Sequence, residues 1–182
     1  MKILAISVSN RKGSYNLALL EAAKEMLPEN TTLEIFDVSM FPLFTQDLER
    51  NPPADVRKFK ERIKDSDAVL LATPEHNYSV SAMLKNAIEW GNRPEEDNSW
   101  DGKPAAIVSA STSPRGGARG QLHLRQIMWD LNMYPINKPQ LLIARAQEAF
   151  DNDLRLKDDL ARETLKAVLQ NLVNWAAKIK NQ

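Results

Sequence analysis

The sequence predicts a three-layer α/β sandwich, in which helices cover both faces of a parallel β-sheet. Short apolar runs alternate with amphipathic helical patterns along the whole chain, and three of these runs end in polar loops. Continuous apolar runs are typical of strands that are buried on both faces of a parallel sheet. With 182 residues and no internal repeat, the chain is expected to form one domain over residues 1–182.

Charge and cysteine content exclude several classes of protein. The 24 basic and 24 acidic residues cancel, which gives no indication of nucleic-acid or anionic-membrane binding. The chain has no cysteine, which excludes disulfides, thiolate nucleophiles and thiolate-bound metals. Its apolar start, MKILAISVS, is too short for a signal peptide, and no window approaches the roughly 18 apolar residues of a membrane span. We therefore expect a cytoplasmic protein.

The first polar loop, SNRKGSYN at residues 9–16, follows the predicted strand Lys2–Val8 and precedes a helical pattern that begins at Leu17. Free N–H groups at a helix N-terminus favour an anion, and nearby hydroxyl and guanidinium groups can complete a phosphate site. If Ser14 or Asn16 were simply a helix cap, this would explain one of the polar residues but not all of them. Both GxxxxGK[ST] and GxGxxG are absent, so the loop suits a mononucleotide better than a dinucleotide.

A proline-rich irregular segment, residues 39–53, follows the second predicted strand, Leu33–Phe36. Its apolar side chains, among them Met40, Phe41 and Phe44, could form a lid over a crevice, contact another subunit or cover an edge of the core. A helix is then predicted from Pro53, because proline is favoured in the first turn of a helix.

The most informative stretch is VLLATPEHNYSVSAMLKNAIEW, residues 69–90. The buried strand Ala68–Ala72 must end at Pro74, because proline fixes its own φ and restricts the residue before it. The loop that follows offers amide, hydroxyl, imidazole and phenol groups before a helix begins. In a parallel sheet such a loop lies at the carboxyl edge, where ligands bind, and its groups suit a flat heteroaromatic ligand. On composition alone, a plain surface turn is equally compatible.

A third polar loop, STSPRGG at residues 111–117, follows the predicted strand Ala105–Ser109. Its paired glycines allow backbone to approach a ligand closely, with N–H groups free to donate. Arg115 and Arg119 could meet a second anion such as a nicotinamide nucleotide phosphate, although exposed arginines need no special role. A helix is predicted over Gln121–Leu131.

A fifth strand over Gln140–Ala144 and a long final helix complete the pattern. We expect the strand order 2-1-3-4-5, in which strands one, three and four are neighbours in the sheet. Their three polar loops then line one crevice at the carboxyl edge.

In these loops the chain resembles the NADPH-dependent FMN reductase family, which includes bacterial chromate, quinone and azo-dye reductases. The resemblance is carried in order by SNRKGSYN, TPEHNYSVSAMLKNAIEW and GGARGQLHLRQ, and it extends from Met1 to about Arg145. It implies a flavodoxin-like fold, with a five-stranded parallel sheet and non-covalently bound FMN. The chain departs from the family pattern at Val8, where glycine is usual, and at His76, where tyrosine is usual.

The resemblance also implies which residues contact the cofactor. Those around the phosphate are Ser9, Arg11, Ser14, Tyr15 and Asn16. Those along the isoalloxazine are Pro74, Glu75, His76, Asn77, Tyr78 and Ser79. Those in the loop that closes over the ring are Ser111, Gly116 and Gly117. No metal ligand is expected.

The mechanism implied by the resemblance is hydride transfer through the flavin. NADPH or NADH would reduce FMN and leave, and a quinone, azo compound, flavin or metal oxyanion would then take its place, giving ping-pong turnover. The protein would anchor the phosphate and place N–H donors near the ring edge where negative charge grows. No side chain is expected to act as a catalytic acid or base.

Two other functions remain open at the level of sequence. A flavodoxin-type electron carrier would bind FMN without a nicotinamide site, but such carriers tend to be strongly acidic and this chain is neutral. A nucleotide-binding module without flavin is also compatible with the fold. The resemblance further implies a homodimer or homotetramer, for which Trp90, Trp100, Trp129 and Met133 are candidate contact residues.

Overall fold

The structure, a computed structural model, describes residues 1–9 and 11–181 of the chain. Within these ranges the strands are β1 Lys2–Ser7, β2 Thr32–Asp37, β3 Ala68–Ala72, β4 Pro104–Ala110, β5 Tyr134–Pro135 and β6 Leu141–Ile143. The α-helices are α1 Tyr15–Lys24, α2 Ala54–Asp65, α3 Ala82–Asn92, α4 Ala118–Asp130, α5 Ala146–Ala149 and α6 Asp159–Lys180. Short 3-10 turns occupy Gln46–Leu48 and Glu95–Asp97. None of the helices in the described ranges is both long and apolar enough to cross a membrane.

The sheet is parallel, with the order β2-β1-β3-β4-β5, which confirms the predicted fold class and strand order. Its far edge differs from the single fifth strand predicted over Gln140–Ala144. There β5 pairs with the start of β4 at Pro104 and Ala105, whereas β6 pairs with its end at Val108–Ala110. The sheet therefore has six strands rather than five, because two short segments share one position. A two-residue strand shows no periodicity in sequence, and its proline is tolerated because it lies at an edge.

Apolar clusters on both faces of the sheet confirm the three-layer arrangement. Ile3 and Ala5 of β1 belong to a cluster shared with α1 and α6. Leu4 and Ile6 belong to a second cluster, shared with α2, α3 and α4. This alternation follows from strand geometry, in which successive side chains point to opposite faces. Because both faces are covered, a ligand reaches the sheet at its edges, and the polar loops lie at the carboxyl edge.

Helix α4 begins earlier than the sequence predicts. Its first residue is Ala118, three positions before the predicted Gln121, and Gly117 precedes it with a φ of +89°. Glycine disfavours helix interiors, so the glycine-rich start hides the helix in the sequence. The earlier start places Arg119 and His123 one helical turn apart, on the same face.

The proline-rich segment after β2 covers an edge of the core. The ring of Phe41 packs 5.3 Å from that of Phe59, and the ring of Phe44 packs 5.1 Å from that of Trp90. In contrast, Met40 and Leu43 are 86% and 82% exposed. The segment therefore divides into a packed part and an exposed apolar part.

Three of the four candidate subunit-contact residues lie in the core of the chain itself. Trp90, Trp100 and Met133 are at most 5% exposed, so their predicted role in a subunit interface is wrong. Trp90 donates through Nε1 to the carbonyl of Pro42. Trp100 packs directly over Gly91, which leaves no room for a Cβ there. Trp129, the fourth candidate, is 84% exposed.

Candidate functional site

The three polar loops meet at the carboxyl edge of the sheet, as the strand order predicts. Asn16, the last residue of the first loop, donates through Nδ2 to the carbonyl of Ala110 at 2.9 Å and accepts at Oδ1 from the N–H of Ala110 at 3.0 Å. This reciprocal pair joins the start of α1 to the end of β4. The N–H of Thr73 donates to the carbonyl of Val108, which joins the second loop to the same strand. The loops therefore share one rim.

The first loop ends at a capped helix N-terminus. Ser14 is the N-cap of α1, and its Oγ accepts from the N–H of Leu17 at 3.3 Å. The other N–H groups of the first turn have no acceptor within a helix and can bind an anion. Arg11 is exposed beside them, and its N–H donates to Ser9 Oγ at 3.3 Å, which curls the loop. Asn10, the second residue of the SNRKGSYN segment, lies outside the described residues.

Two of the predicted phosphate contacts have side chains that are engaged within the protein. The Asn16 amide is buried and turned towards β4, so what this position offers an anion is its backbone N–H. The ring of Tyr15 packs 5.3 Å from the ring of Phe150. These side chains fix the loop, which leaves the Arg11 guanidinium and the O–H donors of Ser9 and Ser14 available to an anion.

The second loop contains a strained tight turn at residues 76–79. The N–H of His76 donates to the carbonyl of Ser79, and the N–H of Ser79 donates back to His76, both at 2.9 Å. Asn77 and Tyr78 have φ values of 47° and 70°, which are those of a type I′ turn. Asparagine tolerates this left-handed region, but an aromatic residue rarely occupies it. Such strain persists only where surrounding contacts maintain it, and it is concentrated at functional sites.

Helix α4 provides the contacts that hold this loop. The N–H of Arg119 donates to Glu75 Oε2 at 2.9 Å, and its Nε donates to Oε1 at 2.6 Å. A Cβ on Gly120 would lie 3.2 Å from the Ser79 carbonyl oxygen, so glycine lets the helix backbone touch the loop. One turn further along, His123 Nδ1 lies 3.1 Å from Ser79 Oγ. One face of the first turns of α4 is thus docked on the second loop.

The carboxylate of Glu75 is directed at this helix. Its side chain is 8% exposed, and such burial by itself would raise the pKa of Glu75. Hydrogen bonds from the Arg119 guanidinium and backbone, together with the charge of Arg119, outweigh burial and hold the pKa of Glu75 below its ordinary value. The same pairing raises the pKa of Arg119. The guanidinium that could have met a nicotinamide phosphate is therefore paired with a carboxylate of its own chain.

The third loop owes its glycines to packing. Gly116 and Gly117 have φ values of +60° and +89°. A Cβ on Gly116 would come within 2.8 Å of the Leu142 backbone, and one on Gly117 would come within 2.8 Å of Ser109 Oγ. The glycines thus let the loop close onto β4 and β6, whereas the sequence suggested that they admit a ligand. Ser111 Oγ, in the same loop, lies 3.1 Å from Ser113 Oγ.

The rim as a whole fits a phosphorylated flat ring. The helix start with Arg11 and Ser14 offers a phosphate site, and the turn at 76–79 beside it carries exposed imidazole, amide and phenol groups on His76, Asn77 and Tyr78. In the third loop the N–H groups of Ser111, Ser113 and Arg115 are bonded within the protein. A parallel sheet of order 2-1-3-4-5 with such a rim defines the class of flavodoxin-like proteins that bind FMN.

Comparison with known proteins identifies the family within this class. The sequence profile of the NADPH-dependent FMN reductase family matches residues 1–148, and the chain belongs to this family. It is 46% identical over 182 residues to an NAD(P)H-dependent FMN reductase from Pseudomonas aeruginosa, covering 99% of this chain and 97% of that protein. It is 42% identical to an NAD(P)H:quinone oxidoreductase from Solanum tuberosum, covering 100% and 96% of the two chains.

A solved structure supports the same assignment. The flavoenzyme NAD(P)H:(acceptor) oxidoreductase from Paracoccus denitrificans matches with a TM-score of 0.89 and 31% identity, covering 97% of both chains. The predictions of a flavin-dependent oxidoreductase, with FMN as cofactor and a nicotinamide as co-substrate, are thereby confirmed. The electron-carrier alternative is not favoured.

The sequence did not single out the docking of α4 on the second loop. The sequence pattern suggests only an anion-binding role for Arg119, and it suggests no role in the site for Gly120 or His123. The signal was the spacing of Arg119 and His123, which share one helix face only if the helix begins before Gln121.

Proposed function

We propose that the protein is a ping-pong NAD(P)H:quinone oxidoreductase that uses FMN. The observation that carries this proposal is the shared rim, where the N-terminus of α1 and an exposed turn with an aromatic side chain lie at the same edge of the sheet. The quinone oxidoreductases among the relatives, at 42% and 40% identity, support a quinone as the acceptor. Azo compounds, free flavins and metal oxyanions such as chromate remain further candidates, because an open cleft imposes few constraints on the acceptor.

The residues of the first loop hold the FMN phosphate in this proposal. Ser9 and Ser14 offer hydroxyl groups, Arg11 offers a guanidinium, and the first turn of α1 offers N–H groups and the positive end of the helix dipole. Tyr15 and Asn16 keep the loop in place through Phe150 and Ala110.

The other two loops hold the ring. The second loop, Pro74 to Ser79, lies along the ring, and the third loop, with Ser111, Gly116 and Gly117, places N–H groups at the ring edge where negative charge grows on reduction. Bound FMN supplies the redox chemistry, since it can accept a hydride from a nicotinamide and pass it on. We assign no catalytic side chain, and the protein acts by orientation and electrostatics.

A steady-state assay with NADPH and NADH against a quinone tests the proposal. Parallel double-reciprocal lines are expected for ping-pong turnover, whereas intersecting lines would exclude it. Arg11→Ala should weaken FMN retention by about tenfold, because one charge-assisted contact to phosphate is lost. Arg62→Ala is the matched control, since Arg62 contacts Glu34 and lies beside Lys2 and Thr32, at the opposite edge of the sheet.

A stopped-flow trace separates the enzyme from an electron carrier. FMN bound to the enzyme should be bleached when NADPH is mixed in. In a carrier the flavin would stay oxidised, and an unchanged spectrum with both nicotinamides would refute the proposed function.

We further propose that the chain forms a homodimer or homotetramer through the surface around α3. Exposed apolar side chains surround this helix on the neighbouring loop 39–45 and on α4: Met40, Leu43, Leu122 and Trp129. Asn86 of α3 bonds to Pro42 and Phe44, which brings the first of these segments against the helix. Trp129→Glu should shift light-scattering mass towards the monomer, and an unchanged mass would exclude α4 from the interface.

A cytoplasmic location stays a prediction.

A further inference from the structure

We propose that Arg119 is a positioning residue for the electron acceptor. Paired with Glu75, it holds the ring of Tyr78 at the rim so that the ring's open face can stack on a planar quinone. This inference rests on the proposed function and specifies which group of the site recognises the acceptor.

Arg119 is held in one orientation by its contacts with Glu75. Its guanidinium contacts Glu75 through Nε and Nη2, and its backbone N–H donates to the second oxygen of the same carboxylate. A planar guanidinium in such a fork has a defined orientation, which a lysine could not reproduce. Gly120 brings the helix backbone against the loop, so the partners of this pair are fixed from both sides.

Arg119 covers one face of the Tyr78 ring and leaves the other face open. The guanidinium carbon lies 3.3 Å from the centroid of the tyrosine ring, within cation–π range. The side chain of Tyr78 is nevertheless 63% exposed. A ring that has a cation on one face and is still largely exposed offers its opposite face as a preoriented surface for stacking.

The turn at residues 76–79 needs the support of Arg119. Tyr78 has a φ of 70°, a conformation that an aromatic residue adopts only when surrounding contacts maintain it. Arg119, in α4, contacts Glu75 just before the turn and Tyr78 within it. These contacts join the two residues to α4. Without Arg119, the turn can relax and the ring loses its orientation.

The experiment compares a planar acceptor with one that has no ring. With saturating nicotinamide and with FMN bound to each variant, Tyr78→Ala should raise the KM for a benzoquinone about tenfold, the equivalent of one aromatic stacking contact. The KM for ferricyanide, which cannot stack, should not change. Tyr78→Phe keeps the ring and should therefore keep most of the affinity for the quinone, with a KM well below that of Tyr78→Ala.

The same assay tests whether Arg119 acts by holding Tyr78. Arg119→Ala should raise the quinone KM to a similar degree, and Arg119→Lys should not restore it. The double variant of Arg119→Ala and Tyr78→Ala should be no worse than Tyr78→Ala alone, because two residues that act as one unit are not additive. Arg50→Ala is the matched control, since it breaks another Arg–Glu pair, with Glu96, and should leave both KM values unchanged.

Hydrogen exchange gives a readout that does not depend on turnover. The amides of His76 and Ser79, bonded to each other across the turn, should exchange at least tenfold faster in Arg119→Ala than in the wild type. If the wild type is active but Arg119→Ala changes neither the exchange rates nor the quinone KM, the inference about Arg119 is overturned and the proposed function is not affected. Additive KM effects, or equal effects on quinone and ferricyanide, would also overturn this inference. A wild type that neither retains FMN nor reduces a quinone would instead overturn the proposed function.

Discussion

At the scale of single residues, polar side chains of the loops divide into those that serve the fold and those that remain free. Asn16 and Glu75 have their polar atoms bonded to distant parts of the chain, whereas Arg11, His76 and Asn77 are exposed. An exposed polar group can reorganise around a ligand without breaking internal bonds. Binding should therefore depend on the exposed set and folding on the buried set.

Replacing Asn16 tests the folding role. Asn16→Ala would leave the N–H and carbonyl of Ala110 without their partners in a buried environment. We expect a loss of roughly 2–4 kcal/mol in the free energy of unfolding, measured by denaturant titration. The exposed Asn174→Ala should lose less than about 0.5 kcal/mol. Equal losses in the two variants would show that the Asn16 amide is not a structural tie.

The pKa of Glu75 predicts how stability depends on pH. Because the folded-state pKa lies below the ordinary value of 4.5, ionised Glu75 stabilises the fold above that value. The contribution should be lost as pH falls from about 5 through the lowered pKa. Glu75→Gln lacks this titration, so the difference in melting temperature between wild type and variant should shrink on acidification. A difference that stays constant from pH 7 to pH 3 would contradict the pairing with Arg119.

At the scale of elements, the site depends on how closely α4 and its preceding loop approach the sheet. Gly116 and Gly117 bring the loop onto β4 and β6, and Gly120 brings the helix onto the second loop. The distances of 2.8 to 3.2 Å from a Cβ at these positions leave no space for a side chain. The rim therefore keeps its shape because three glycines allow contacts between backbone segments.

Gly117→Ala tests this close approach. The added Cβ would meet both Oγ and Cβ of Ser109 while the backbone keeps a φ of +89°. We expect a loss of about 2–4 kcal/mol from crowding and left-handed strain together. Gly102→Ala is the control, because Gly102 also has a positive φ but no atom within 4 Å of the added Cβ. Gly102→Ala should lose only about 1 kcal/mol in the free energy of unfolding. Equal losses in the two variants would mean that the structure relieves the crowding at residue 117.

At the scale of the whole molecule, folding and cofactor binding are linked because the site exists only when three distant loops are brought together. A ligand that binds only the folded chain stabilises it by about 2.7 kcal/mol at 100 times its dissociation constant. The same concentration of ligand would not stabilise an unfolded chain, in which the three loops are far apart.

FMN should therefore raise the melting temperature, by roughly 5–10 °C for a chain of this size. Riboflavin, which lacks the phosphate, should give a clearly smaller shift, and Arg11→Ala should reduce the shift with FMN more than that with riboflavin. Differential scanning fluorimetry measures all three. Equal shifts with the two flavins would show that the first loop does not bind the phosphate.

The boundaries of the predicted elements show how far local pattern carries. Strand β3 spans Ala68–Ala72 in both sequence analysis and structure, because an apolar run that ends at a proline is a local signal. In contrast, β5 and the first turn of α4 are not predicted, since a two-residue strand has no period and the glycines near residue 117 disguise a helix start. The burial of Trp90 and Trp100 is likewise a property of packing that composition does not reveal.

The sequence by itself determined the alternation of strands and helices and the three polar loops that follow strands, because periodicity, proline and loop composition act over a few residues. Only the tertiary structure decided which side chains of those loops face a ligand. Glu75 bonds to a residue 44 positions away and Asn16 to one 94 positions away. No local pattern specifies such partners, since they meet only after the sheet has brought the ends of β1, β3 and β4 together.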